Sequence, residues 1–202
     1  LRYSLGYAVA VWFLSFFIGI DLGGFLGFFG GKIEFLGQRV VEVMNTVPQL
    51  YLLLIIISIF QPNIWWLIAI STLFGWMAIS YYARAEFLKN RKKEFVEAAK
   101  SVGANNLRIV FRHILPNSLS PIITFAPFAI AMNIVGLASL DYLGFGLPVP
   151  TPSWGELLNQ AKSHFTVAWW LAVFPSGAIF LTLTLLNLVG EGVRDALDPN
   201  LN

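Results

Sequence analysis

One acidic residue, Asp21, interrupts an apolar run that extends from Leu5 to Phe29. An ionisable group at membrane depth is a functional candidate by default, because hydrocarbon does not solvate charge. Acid–base chemistry there needs a second acid at similar depth. No span interior supplies one, since Glu191 lies at an inner end, so the favoured place for Asp21 is near the headgroups or in a wet cavity wall. The two histidines, His113 and His164, fall on opposite sides of the membrane in the topology that the basic residues dictate, and cannot form a metal pair. Cysteine is absent, which excludes disulfides, thiolate metal sites and a thiol nucleophile. No nucleophile elbow or Walker loop is present, and the glycines of GFFGG and GFG lack the strand, helix start and lysine of a phosphate cradle.

Charge concentrates elsewhere. Between Tyr82 and Ser120 the chain holds eight of its thirteen Lys and Arg residues: Arg84, Lys89, Arg91, Lys92, Lys93, Lys100, Arg108 and Arg112. From Lys92 to Val102, Phe95, Val96, Ala99 and Val102 recur at helical spacing and make one narrow apolar face. Gly103 supplies the left-handed residue that ends such a helix at little cost. Asn105 or Asn106 can cap the next helix, whose predicted face carries Leu107, Val110, Phe111 and Ile114. Pro116 suits the first turn of a further helix and not the interior of this one. A nucleic-acid or anionic-lipid patch is one use of such a stretch. Its acids Glu86, Glu94 and Glu97 and its apolar faces fit a helix docked on a protein better.

These residues need elements to position them. At 57% hydrophobic, 12% charged and a mean hydropathy of +0.71, the 202 residues do not form an ordinary soluble domain. No short apolar run with a small-residue cleavage site marks a signal peptide. Five apolar segments of spanning length are predicted: about Leu5–Phe29, Met44–Phe60, Ile64–Tyr82, Leu119–Leu137 and Val167–Val189. Gly19, Gly23, Gly24 and Gly27 leave one side of the first small enough for close packing. Gly30–Val43 reads as a polar connection with an amphipathic tail, Pro48 as a kink, and Gln61-Pro62-Asn63 as a tight turn. Pro121 and Pro127 kink the fourth span, in which Asn133 can donate to a neighbouring helix. The stretch SLDYLGFGLPVPTPSWGELLNQAKSHF reads as a long connection with aromatics suited to the membrane surface, and GEGVRDALDPNLN as a tail in water.

Orientation follows from the basic residues. With the basic stretch inside, eleven Lys and Arg fall on the cytoplasmic side and only Arg2 and Lys162 outside. The N-terminus then lies outside and the C-terminus in the cytoplasm. A first residue that is Leu rather than Met, starting outside, leads to the expectation of a span upstream.

Glu97-Ala98-Ala99, then Gly103, then Leu115-Pro116, set between two spans, resembles the EAA loop of bacterial ABC importer permeases. His113 stands where that family's pattern has isoleucine, while RHILPN resembles the dipeptide and oligopeptide permeases. GGKIEFLGQR, SLDYLGFGLP, TPSWGELL and GVRDALDPN are similar to the C-type subunit of those permeases. QPNIWW, LFGWM, RAEFL and GFGLP look most like the branch that takes up peptide antibiotics of the microcin C type.

The resemblance implies an all-α, polytopic bundle of the type I importer fold: one permease domain over 1–202, an EAA loop over 83–118, and a family N-terminal helix upstream. It implies that Lys92–Val102 is a coupling helix seated on an ATPase subunit, through Glu97, Ala98, Ala99, Gly103, Leu115 and Pro116. It also implies a second permease subunit, two ATPase subunits carrying ATP and Mg, an extracytoplasmic substrate-binding protein, surrounding lipid and no nucleic acid. No cofactor and no catalytic residue is implied in this subunit. Asp21, Asn133 and Asp141 are the candidate path or gate residues. The reading from a different class is a membrane channel or scaffold whose basic loop binds anionic lipid.

Overall fold

A computed structural model describes residues 2–60 and 63–197. Three of its helices are long and apolar enough to cross a membrane: α1 (Arg2–Phe29), α4 (Ile64–Asn90) and α10 (Trp170–Leu197). Two bent pairs bring the number to five when each pair is one span. They are α2 (Gly31–Asn45) with α3 (Gln49–Ile59), and the continuous helical run Asn106–Ile123 with α8 (Ala126–Tyr142). The run comprises α6 (Asn106–Arg108), a π-helical turn over Ile109–Ile114, and α7 (Leu115–Ile123). Two shorter helices, α5 (Glu94–Ser101) and α9 (Trp154–His164), lie in the connections.

The core forms where α1 lies against α4. Gly19, Gly23 and Gly27 repeat every four residues, so they share one side of α1. That side meets the backbone of α4 at Trp76, Ser80 and Arg84. Without a hydrophobic force between helices in lipid, such backbone approach is the main source of packing energy. Tyr7, Ala8 and Val11 continue the same contact toward Leu67, Ile68 and Phe74, and Ile134, Leu137 and Leu140 of α8 close the cluster. By contrast α10 exposes Phe174, Phe180, Leu181, Leu185 and Leu188.

Several boundaries differ from the sequence reading, each for a local reason. The expected connection Gly30–Val43 is helical from Gly31 on, because its apolar residues follow helical spacing once Gly30 and Gly31, both at positive φ, have broken the chain after α1. The second span is broken, not merely kinked: α2 and α3 meet at 63°, with Pro48 extended (ψ 108) as the residue before α3. The fourth bends by 53° between Ile123 and Ala126, beside Pro121 and Pro127. α4 continues past Tyr82 to Asn90, and α10 continues through Arg194 to Leu197. The connection from α8 to α10 contains α9, capped by the Ser153 hydroxyl, which accepts from the Glu156 N–H at 3.0 Å. Gln61 and Pro62 of the expected turn, and Asp198–Asn202 of the tail, lie outside the described residues.

Candidate functional site

The basic stretch folds into a hairpin whose two arms are pinned at the membrane end. α4 ends at Asn90, whose buried Nδ2 donates to Ser118 Oγ at 2.9 Å, and that hydroxyl donates onward to the Ile114 carbonyl at 2.9 Å. Arg91 donates to the Phe28 carbonyl at 2.9 Å, so a cation sits at the C-terminal end of α1, where the helix dipole favours it. Arg84 pairs with Glu34 of α2. Two of the eight basic residues therefore fasten this unit to the spans.

Lys93 precedes α5 in extended conformation, and Glu94 and Glu97 occupy the first turn, as the dipole prefers. The helix ends as its sequence predicts. Gly103 has φ 79; its N–H donates to Lys100 O at 2.9 Å and the Ala104 N–H to Ala99 O at 3.0 Å, the paired bonds of a Schellman motif. A Cβ at Gly103 would meet nothing within 4 Å, so the glycine is needed for its backbone angle alone. Asn105 then caps the next helix, its side-chain oxygen accepting from the Arg108 N–H at 2.8 Å.

Val96 and Ala99 of α5 are buried against Phe87, Ile109 and Ile114. Glu97 and Ala98 face outward, as do Lys100 and Ser101. Val102, expected on the inner face, is 85% exposed. Of the face expected for the next helix, Ile114 is fully buried and Val110 half-buried, but Leu107 and Phe111 are exposed, and Ile109, not on that face, is fully buried. The reason is the π turn, whose i→i+5 spacing brings Ile109 and Ile114 to one side. Pro116 takes the place expected of it, in the first turn of α7, directly after the π turn. Proline removes an N–H and crowds the carbonyl four residues back; a widened turn just ahead of it lets the helix run on to Ile123 instead of ending. Leu115 is half-buried at the junction and Pro116 exposed.

The candidate path residues do not meet at one place. Asp21 is exposed and lines an apolar cavity of about 210 Å³ with Phe25, Phe28, Leu107, Val110 and Phe111, beside the basic unit. Asn133 donates to the Ala8 carbonyl at 3.3 Å, the interhelical bond expected of it, and lines a different cavity. Asp141 is buried at the end of α8, where its Oδ1 accepts from the Leu147 N–H at 2.7 Å. It holds the connection between α8 and α9 in its fold, helped by Lys162 of α9, which donates to the Tyr142 carbonyl at 2.7 Å. Sequence reasoning missed Tyr7 and Ser71, whose hydroxyls share a buried bond of 2.6 Å in the cavity that Asn133 lines. Serine and tyrosine in apolar helices are the signal that marks them.

Comparison with known proteins joins these features to a family. Residues 19–202 match the family model described as binding-protein-dependent transport system inner membrane component. The chain is 42% identical over 199 residues to the inner membrane ABC transporter permease protein YejE of Escherichia coli, covering 98% of this chain and 58% of that protein. It is 41% identical to the peptidoglycan transport system permease protein YejE of Agrobacterium fabrum, covering 98% and 52%. With the glutathione transport system permease protein GsiD of Pectobacterium atrosepticum it shares 36%, covering 99% and 66%. The chain thus spans between about half and two-thirds of the length of these relatives. In fold it is similar to a chain of the MetNI methionine ABC transporter in inward-facing conformations, with TM-scores of 0.77 and 0.78 at 16% identity, covering 98% of this chain and 94% of that one. With a family model matched over nearly its whole length and a type I importer permease fold, the chain belongs to the family of inner membrane components of binding-protein-dependent transport systems.

Proposed function

We propose that this chain is the membrane-spanning permease subunit of an ATP-binding-cassette importer for peptides or peptide-like compounds. The observation that carries the reading is α5: its inner face is locked onto the spans through Val96 and Ala99, while Glu97 and Ala98 stand free. A short rigid helix so mounted transmits force from a partner to the bundle. Small Ala98 allows close approach, and Glu97, which forms no ion pair among the described residues, suits a basic residue of the partner's groove.

In this reading two cytoplasmic ATPase subunits bind ATP and Mg and supply the energy. A second permease subunit completes the path, and an extracytoplasmic binding protein delivers the solute. The peptide class is supported by relatives named as transporting glutathione or peptidoglycan, and by a putative peptide permease of Brucella ovis at 36% identity. Alternating access follows when ATP-driven closure favours one orientation of the spans over the other. Arg84 and Arg91, engaged with Glu34 and Phe28, weigh against a lipid-binding basic loop as the main role.

The test is reconstitution of the complete transporter in proteoliposomes. ATP-dependent accumulation of a labelled peptide, lost when this chain is omitted, is the expected result; accumulation without it overturns the proposal. Orientation has its own test. A reporter active only outside the cytoplasm should be active when fused after Asn63 or Lys162 and silent after Lys93. Activity after Lys93 would reverse the arrangement.

A further inference from the structure

Between α1, α3, α4 and α8 lies a cavity of about 380 Å³, within the size range of small-molecule sites. Its polar lining comes from Tyr7, Gln49, Ser71 and Asn133; Leu53 and Gly136 are among its other walls. None of the lining residues carries a formal charge. The Tyr7–Ser71 bond uses one hydrogen and one lone pair, which leaves one hydroxyl hydrogen and further lone pairs unused. Asn133 spends one N–H on the Ala8 carbonyl and keeps its second N–H and its Oδ1. The cavity therefore offers neutral donors and acceptors side by side. A charged guest would find no counter-ion among these side chains. A hydrocarbon guest would leave their free hydrogen-bonding groups unmet. A secondary amide presents one N–H and one C=O and satisfies both kinds.

We propose that this cavity is a subsite of the translocation path that hydrogen-bonds the backbone amide of the passing solute, with Tyr7, Ser71 and Asn133 as the recognising residues. Reading the backbone and not the side chains, it accepts peptides of varied sequence and disfavours solutes of equal size that lack the amide. The inference rests on the peptide-permease reading and adds the chemical group that the membrane path itself selects.

The experiment uses the complete reconstituted transporter with radiolabelled tetraalanine and an analogue in which the central amide is an ester. The ester lacks the N–H and is the weaker acceptor. The parent should take up tetraalanine about fivefold faster than the ester, the discrimination of one net hydrogen bond. Tyr7→Phe, Ser71→Ala and Asn133→Leu should each move that ratio toward one at comparable membrane abundance. The binding protein is the same throughout, so a change in ratio belongs to the permease. Gly136→Leu places bulk in the cavity, since a Cβ there meets nothing within 4 Å, and should slow both solutes together. A purely structural role for the polar residues lowers abundance and leaves the ratio intact; that result overturns the subsite. Parental discrimination retained in all three polar variants overturns it too, with the permease reading untouched. No ATP-dependent uptake of either solute by the parent overturns the peptide reading and the subsite with it.

Discussion

Gly23→Leu is expected to separate α1 from α4 and to leave little folded protein in the membrane. A Cβ at position 23 would lie inside van der Waals contact with the Ser80 carbonyl oxygen and 2.8 Å from the Ser80 Cα. Both obstacles are backbone, so no side chain can rotate away. The flanking contacts at Gly19 and Gly27 also meet α4 backbone, at Trp76 and Arg84, and prevent a local adjustment. Overpacking of this kind costs roughly 3 kcal/mol when the surroundings cannot give, and a chain of about 200 residues then loses roughly 6–12 °C in thermal midpoint. Gly6→Leu is the matched control: it lies on the same helix, and a Cβ there meets nothing within 4 Å. Size-exclusion profiles of the detergent-extracted proteins after graded heating measure the difference. Equal midpoints for the two variants would refute the account of α1–α4 packing.

The second large effect concerns coupling rather than folding. Gly103→Val forces a β-branched side chain into φ 79, with strain of about 1–2 kcal/mol. No steric clash accompanies it, because the space around Gly103 is open. The spans are untouched, so membrane abundance should stay close to the parent's. The strain instead undoes the Schellman bonds to Lys100 and Ala99 and changes how α5 meets the run that begins at Asn106. If α5 docks on ATPase subunits as proposed, their recovery with the purified protein should fall about tenfold, the equivalent of 1.4 kcal/mol. Gly103→Asn, which enters the left-handed region more readily, should lie between valine and the parent. Parent-like recovery with valine would mean that the angle set at Gly103 does not govern docking.

The residues that carry this site were legible in the sequence to different degrees. Gly103, Asn105 and the Val96–Ala99 face could be read because each acts through its own helix, over three or four residues. The glycines of α1 were legible for a related reason: small residues at spacing four announce close approach, whatever approaches. Leu107 and Phe111 were misplaced because their burial depends on hydrogen bonding of type i→i+5, which no hydrophobic period of 3.6 encodes. The widened turn lies just ahead of Pro116, seven residues downstream of the turn's start at Ile109. α9 was hidden because Pro148, Pro150 and Pro152 lead into it and give the whole connection the composition of a loop. Tyr7 and Ser71 meet across 64 positions, and no local spacing encodes that partnership.

The π turn has a geometric consequence. Buried positions step from Ile109 to Ile114, Ser118 and Ile122, by five residues and then by four and four. The turn thus stores one residue of phase. Removing one residue between 109 and 114 would restore an uninterrupted α-helix and keep Ile109 on the buried side, now at a step of four. Wound as α-helix with every residue kept, the same stretch would turn the preceding segment by about 100° relative to α7. Ile109 would leave the cluster around Phe87, and α5 would present a different edge. The bearing of α5 on the bundle is therefore set by how this turn is wound as much as by the chemistry of its residues, as a gear's phase depends on which tooth engages.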